Sequence, residues 1–211
     1  MKYPIEPSDR ARFTARANRA YSMFAATYDR VVRLWPTWRK WLDAALPHIQ
    51  GPRVLEVSFG TGYLLSQYAA KYEVAGIDLN PALTVIAKHN LLAGGIHPNL
   101  ACARVEALPF RTGQFDSVVN TMALSAYPDG EAAISEMSRV LRPGGRLVLI
   151  DVNYPMTPTL SGRLLAWGWR AAGDVFRDID ELLRSNGFVH QTSEIGGFGT
   201  IQLYVAEKSS T

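Results

Sequence analysis

From residue 53 onward the chain alternates between short apolar runs and amphipathic stretches, and this alternation restricts the fold more than any other feature. Arg53–Ser58, Glu73–Asp78, residues 100–105, residues 115–120 and Arg146–Val152 read as five strands. Helical patterns separate them at 62–70, from Asn80-Pro81 to Ala93, and at 130–140. Strands that are apolar on both faces, with helices between them, form a mainly parallel sheet covered on both sides. Near the C-terminus a helix at 175–186 ends at Asn186-Gly187, and strands at 188–194 and 200–207 follow. Gly196-Gly197-Phe198-Gly199 separates those strands, too short a link for a crossover helix, so they must form an antiparallel hairpin. The expected fold is α/β and doubly wound, a Rossmann-like sheet that is mostly parallel and closed by that hairpin.

The length of 211 residues and a 47% hydrophobic content suit one soluble domain with a full core. Residues 1–50 are expected to form a helical arm or lid, with helices at 10–27 and 37–48, and 51–211 the main domain. The start, MKYPIEPSDR, lacks the apolar run of a signal peptide, and no stretch approaches the roughly 18 apolar residues of a membrane span. A cytoplasmic location is expected, with the single Cys102 as a buried thiol beside a strand. The net charge of +3 is uneven: residues 1–40 hold nine Lys and Arg against three acids. That basic arm is either a solvated face or a flap touching an anionic substrate or a membrane surface. No nucleic-acid motif is present, and no nucleic-acid partner is expected. His48, His89, His97 and His190 are scattered without metal-ligand spacing, so no metal is expected.

The turn Glu56-Val57-Ser58-Phe59-Gly60-Thr61-Gly62 joins a strand to a helix. Gly60 and Gly62 there permit positive φ and close approach of a ligand to the backbone. Asp78 ends the next strand, where a carboxylate can accept from the vicinal hydroxyls of a ribose. Together these features point to an adenosine-bearing cofactor at the C-terminal strand ends. A nicotinamide enzyme would more typically carry a third glycine, whereas Tyr63, Leu64 and Leu65 follow Gly62.

The opening Val54–Gly62 run, Val105–Phe110, Gly113–Val119 and Arg139–Leu147 form a combination that resembles the class I S-adenosylmethionine-dependent methyltransferases. The likeness is to the small-molecule branch that includes the ubiquinone/menaquinone methyltransferases. It spans roughly residues 51–152, and more loosely 175–207. It implies a seven-stranded sheet with a reversed last strand, S-adenosyl-L-methionine as cofactor, and methyl transfer to a small or lipid-like acceptor. By the same resemblance, Glu56, Ser58, Phe59, Gly60, Thr61 and Gly62 would wrap the methionine part. Asp78 would hold the ribose, and Leu79, Val105 and Glu106 would flank the adenine. Asn120 would sit near the reacting centre, and Arg139–Gly145 would be structural.

Two positions depart from the family pattern. Ser58 stands where the family usually has Gly, its hydroxyl expected on the loop backbone. Arg104 stands where an acid often contacts the adenine amino group. A cofactor-binding relative without catalysis, or a NAD-dependent oxidoreductase, are the alternative readings. No catalytic base is assigned. Tyr127 and Asp129 are expected to line the acceptor site. The N-terminal arm (Tyr21, Phe24, Tyr28, Asp29) and the apolar segment from Asn153 through Trp167 and Trp169 are expected to frame it. That segment reads either as a helix packed beneath the arm or as a lid.

Overall fold

The computed structural model describes residues 9–15, 19, 35–97 and 99–210. The strands are β1 (Arg53–Val57), β2 (Glu73–Asp78), β3 (Asn99–Cys102), β4 (Phe115–Thr121), β5 (Leu141–Val152), β6 (Phe188–Gly196) and β7 (Ile201–Lys208). The helices are α1 (Pro36–Asp43), α2 (Tyr63–Tyr68), α3 (Pro81–Ala93), α4 (Gly130–Val140), α5 (Leu160–Ala172) and α6 (Ile179–Ser185).

One sheet runs in the order β3-β2-β1-β4-β5-β7-β6. The first five of these strands pair in parallel, and β7 is antiparallel to both β5 and β6. The expected seven-stranded doubly wound sheet and its terminal hairpin are therefore present. Because successive side chains alternate between faces, neighbours on one strand enter different cores. Leu55, Val118, Leu147 and Leu149 pack with Ile134 and Met137 of α4 and Leu183 of α6. Val54, Val119, Val148 and Ile150 pack on the other face with Leu64 and Leu65 of α2 and Leu91 of α3. Each of these large side chains contributes about 1.5–3 kcal/mol by leaving water.

Local chemistry sets the element ends that matter for function. Asn80 caps α3, its side chain accepting from the Ala82 and Leu83 N–H groups, and Pro81 fills the first helical position. Connections from β1 run outward to β2 and, on its other side, β4 is added next, so the chain reverses its winding between β1 and β4. Loops leaving the C-terminal ends of those two strands diverge and open a crevice.

Arg139 of α4 donates to the Leu108 and Phe110 carbonyls and pairs with Glu136, pinning the loop between β3 and β4. Arg142 pairs with Asp116. This stretch is structural, as expected.

Three expectations need revision. Cys102 is exposed, because β3 is an edge strand with no neighbour beyond it among the described residues. The helix expected over 37–48 is interrupted after Asp43 and continues as a 3₁₀ turn at Leu46–His48 around Pro47. The strand expected from residue 146 begins at Leu141 and absorbs Pro143-Gly144-Gly145 as an irregularity in its pairing with β4. Of the expected N-terminal arm, residues 10–15 are helical. Tyr21, Phe24, Tyr28 and Asp29 lie outside the described residues, so the boundary between arm and domain is not decided there.

Candidate functional site

The turn after β1 is built on left-handed backbone. Ser58 has φ 59°, Gly60 φ 58° and Gly62 φ 79°. Glycine adopts such angles freely, whereas a residue with a Cβ is strained there by about 1–3 kcal/mol. Ser58 is held in place by its N–H, which donates to the Ile77 carbonyl at 2.7 Å. Gly62 opens α2, and a Cβ on it would lie 3.1 Å from the Ala87 Cβ of α3. Its role is to let two helices approach, so its placement is behind the crevice and not in it.

Asp78 ends β2 at the floor of the crevice. Its Oδ2 accepts from the Gly60 N–H at 2.9 Å and its Oδ1 from the Asn80 N–H at 2.8 Å. Burial raises its pKa, opposed by the backbone N–H groups of Asn80, Gly60 and Leu79. A carboxylate has about four acceptor sites, so capacity for ligand hydroxyls remains.

A cleft of about 790 Å³, partly open to solvent, lies over these groups. Ser58, Gly60, Asp78, Leu79, Val105 and Glu106 all line it. A smaller cavity of about 330 Å³ is lined by Glu56, Phe59 and Thr61, among others. Ser58, Gly60 and Thr121 line both, so the two spaces adjoin, with the β1 turn as the waist between them. Glu56 is buried, and Tyr68 donates to its Oε2 at 2.7 Å. Burial pushes the Glu56 pKa up to about 8, partly offset by the Tyr68 hydroxyl.

Asn120 lies beneath the waist, fully buried, and lines neither space. Its Nδ2 donates to the Val57 carbonyl at 3.0 Å and to the Tyr127 hydroxyl at 2.6 Å. Its Oδ1 has no hydrogen-bond partner among the described residues. The Tyr127 hydroxyl lies 2.7 Å from the Ser58 hydroxyl. Either hydroxyl can donate in that pair. The expected bond from Ser58 to its own loop backbone is thus replaced by a bond across the crevice. Arg177 fixes the far side, donating to the Leu124 and Tyr127 carbonyls at 2.6 Å each.

Other placements were not legible beforehand. Asp129 does not line the cleft: it caps α4, accepting from the Ala132 N–H, and pairs with Arg10. Arg104 is exposed, 3.6 Å from Glu106, and does not line the cleft. Met122, at φ 54°, lines the cleft with no sequence cue for its left-handed backbone. Thr14, in the described part of the arm, also reaches the cleft wall. His190 pairs with Asp180 at 2.7 Å, and no cluster suited to a metal ion occurs among the described residues.

Residues 55–149 match a family model described as a methyltransferase domain. The chain is similar to the demethylmenaquinone methyltransferase of Thermus thermophilus, 35% identical over 144 residues that cover 64% of this chain and 65% of that protein. The phosphatidylethanolamine N-methyltransferase of Cereibacter sphaeroides is 36% identical over 110 residues, covering 51% and 54%. This chain therefore spans less than two thirds of either relative. Among solved structures, the (4+2)-cyclase SpnF superposes with a TM-score of 0.80 over 99% of both chains at 16% identity. That likeness concerns the methyltransferase fold alone.

Proposed function

We propose that this domain binds S-adenosylmethionine along the two adjoining cavities and transfers its methyl group to a lipid-like acceptor. The observation that carries the reading is the pair of buried carboxylates, Asp78 and Glu56, on either side of the Ser58–Gly60 waist. The residues fit the cofactor's chemistry. Asp78 offers acceptor capacity for two ribose hydroxyls, and Leu79, Leu83 and Val105 supply apolar walls for a purine. Glu56 in the smaller cavity suits an ammonium group, and backbone at Gly60 allows close approach. When bound, the cofactor supplies an electrophilic methyl group on a sulfonium.

The chain's own contribution is orientation and exclusion of water. Methyl transfer disperses charge, so alignment of the acceptor can supply much of the rate effect without a protein nucleophile. Tyr127 and Ser58 are hydroxyls beside the waist; burial raises the Tyr127 pKa well above its ordinary value, so it stays protonated. The two relatives carry names that specify lipid acceptors, a demethylmenaquinone and phosphatidylethanolamine, which supports an acceptor of that class here. The test is incubation with methyl-labelled S-adenosylmethionine and a panel of quinol, phospholipid and soluble amine acceptors. Label in a lipid extract supports the reading, and label only in soluble amines contradicts the acceptor class.

Ser58 favours one second reading, a protein that binds the cofactor without transfer. Its side chain stands at the waist where the family usually has none. Tight cofactor binding, no turnover on the whole panel, and activity gained in Ser58→Gly would support it.

A further inference from the structure

We infer that α5 and the adjoining Gly197–Gly199 turn form a docking surface for an anionic lipid bilayer. This rests for its purpose on the lipid-acceptor reading above. The helix has two unlike sides. Gly162 and Ala166 are buried, and Trp169 faces inward, its indole N–H donating to Thr200. Leu160, Leu164 and Trp167 recur at i, i+4 and i+7 on the opposite side and are 76%, 62% and 71% exposed. Phe198, 68% exposed, extends the apolar surface from the neighbouring turn. Turn and helix touch, since a Cβ on Gly162 would lie 2.6 Å from the Phe198 carbonyl. Phe198 sits at φ 52°, an angle a bulky side chain rarely adopts.

Charge decides the occupant. Arg163 and Arg170, both exposed, flank the apolar stripe on one side, and Leu160–Ala172 contains no acid. Leucine and tryptophan beside arginine is the composition of helices that lie in a headgroup layer, with apolar side chains about 5–10 Å deep. At 13 residues α5 is about 20 Å long, and no described helix is long and apolar enough to cross a membrane.

Position links the surface to the cleft. Ile201, the first residue of β7, pairs with Val152, the last of β5, so the 197–199 turn lies at the C-terminal end of β5. The helix follows that same end. The crevice opens at the C-terminal ends of β1 and β4, parallel to β5, so both features occupy one end of the sheet. A bilayer on α5 would bring a membrane-held acceptor to the mouth of the cleft.

The experiment is flotation of the full chain with vesicles of phosphatidylcholine alone, and with phosphatidylcholine and phosphatidylglycerol in equal parts. The expected result is binding to the anionic vesicles and little to the neutral ones. The combined Leu160→Ser, Leu164→Ser, Trp167→Ser variant should lower that partition about tenfold or more. Arg163→Glu with Arg170→Glu should remove the preference for phosphatidylglycerol. Circular dichroism and S-adenosylhomocysteine titration of each variant check that fold and cofactor site are intact. Wild-type protein that ignores both vesicles overturns the proposal. So does a triple variant that still binds fully, or a wild-type dimer that the triple variant disperses without vesicle binding. A wild type that binds anionic vesicles but not S-adenosylhomocysteine would leave the docking surface standing and overturn the cofactor reading instead.

Discussion

The Gly60 N–H donates to Asp78 Oδ2 at 2.9 Å, tying the turn after β1 to the end of β2. One carboxylate thereby shapes the crevice and faces it. Asp78→Ala removes the acceptor for both Gly60 and Asn80 as well as any ligand hydroxyl. S-adenosylhomocysteine affinity should fall by about 2–4 kcal/mol, measured by equilibrium dialysis. Unchanged affinity would place the cofactor elsewhere.

Gly60 is the position where a side chain should disturb binding most selectively. At φ 58° a β-branched residue is strained, and Gly60 lines both the cleft and the smaller cavity. Gly60→Val should weaken S-adenosylhomocysteine binding at least about tenfold, while the melting temperature of the free protein falls by only a few degrees, about 1–3 kcal/mol of strain. Normal ligand binding by this variant would show that the turn does not approach the ligand.

The Ser58–Tyr127 bond should be measurable as a coupling. Tyr127→Phe removes the hydroxyl that joins Ser58 to Asn120. Ser58→Gly removes the same bond but also relieves the backbone at φ 59°. The Phe variant should lose about 1–2 kcal/mol of stability, and the Gly variant less, with a double-mutant coupling of about 0.5–1.5 kcal/mol in urea unfolding. Additive effects would mean that the two hydroxyls do not interact.

Glu56 should make stability depend on pH. Its folded pKa is about 8 against 4.5 ordinarily, with burial as the main cause. Between those values the folded protein holds a proton that the unfolded chain has lost, so this group's contribution to stability declines as pH rises from 4.5 towards 8. Denaturant titrations across that range should show the decline, and Glu56→Gln should lessen it, leaving the part due to Asp78, Asp151 and Asp174, whose pKa values burial also raises. Binding of an ammonium group beside Glu56 should release a proton near neutral pH, visible as a buffer-dependent heat.

Much of this architecture was legible in the sequence because period and punctuation were clear. Two-sided apolar strands gave the parallel sheet, and the four-residue glycine link before Thr200 required the hairpin. Asn80-Pro81 announced the start of α3. What the sequence concealed depends on contacts between distant residues. The edge position of β3, which exposes Cys102, follows from strand order and not from local composition. Asp129 reads equally as a site acid or a cap, and only its bond to the Ala132 N–H decides between them. Tyr127 was expected near the acceptor, yet its link to Ser58 spans 69 residues of chain and leaves no local trace. The left-handed backbone of Ser58 and Met122 is likewise unmarked, since neither residue favours it.

The central claim is that the crevice over Asp78 and the Ser58–Gly60 turn holds S-adenosylmethionine. Calorimetric titration of the wild-type chain with S-adenosylmethionine, S-adenosylhomocysteine and NAD, repeated on Asp78→Ala, tests it most directly. The account predicts one site for both sulfur ligands, no heat with NAD, and the sulfur ligands' affinity reduced about thirtyfold or more in the variant. Binding of NAD with neither sulfur ligand, or equal S-adenosylhomocysteine affinity in both proteins, would contradict it.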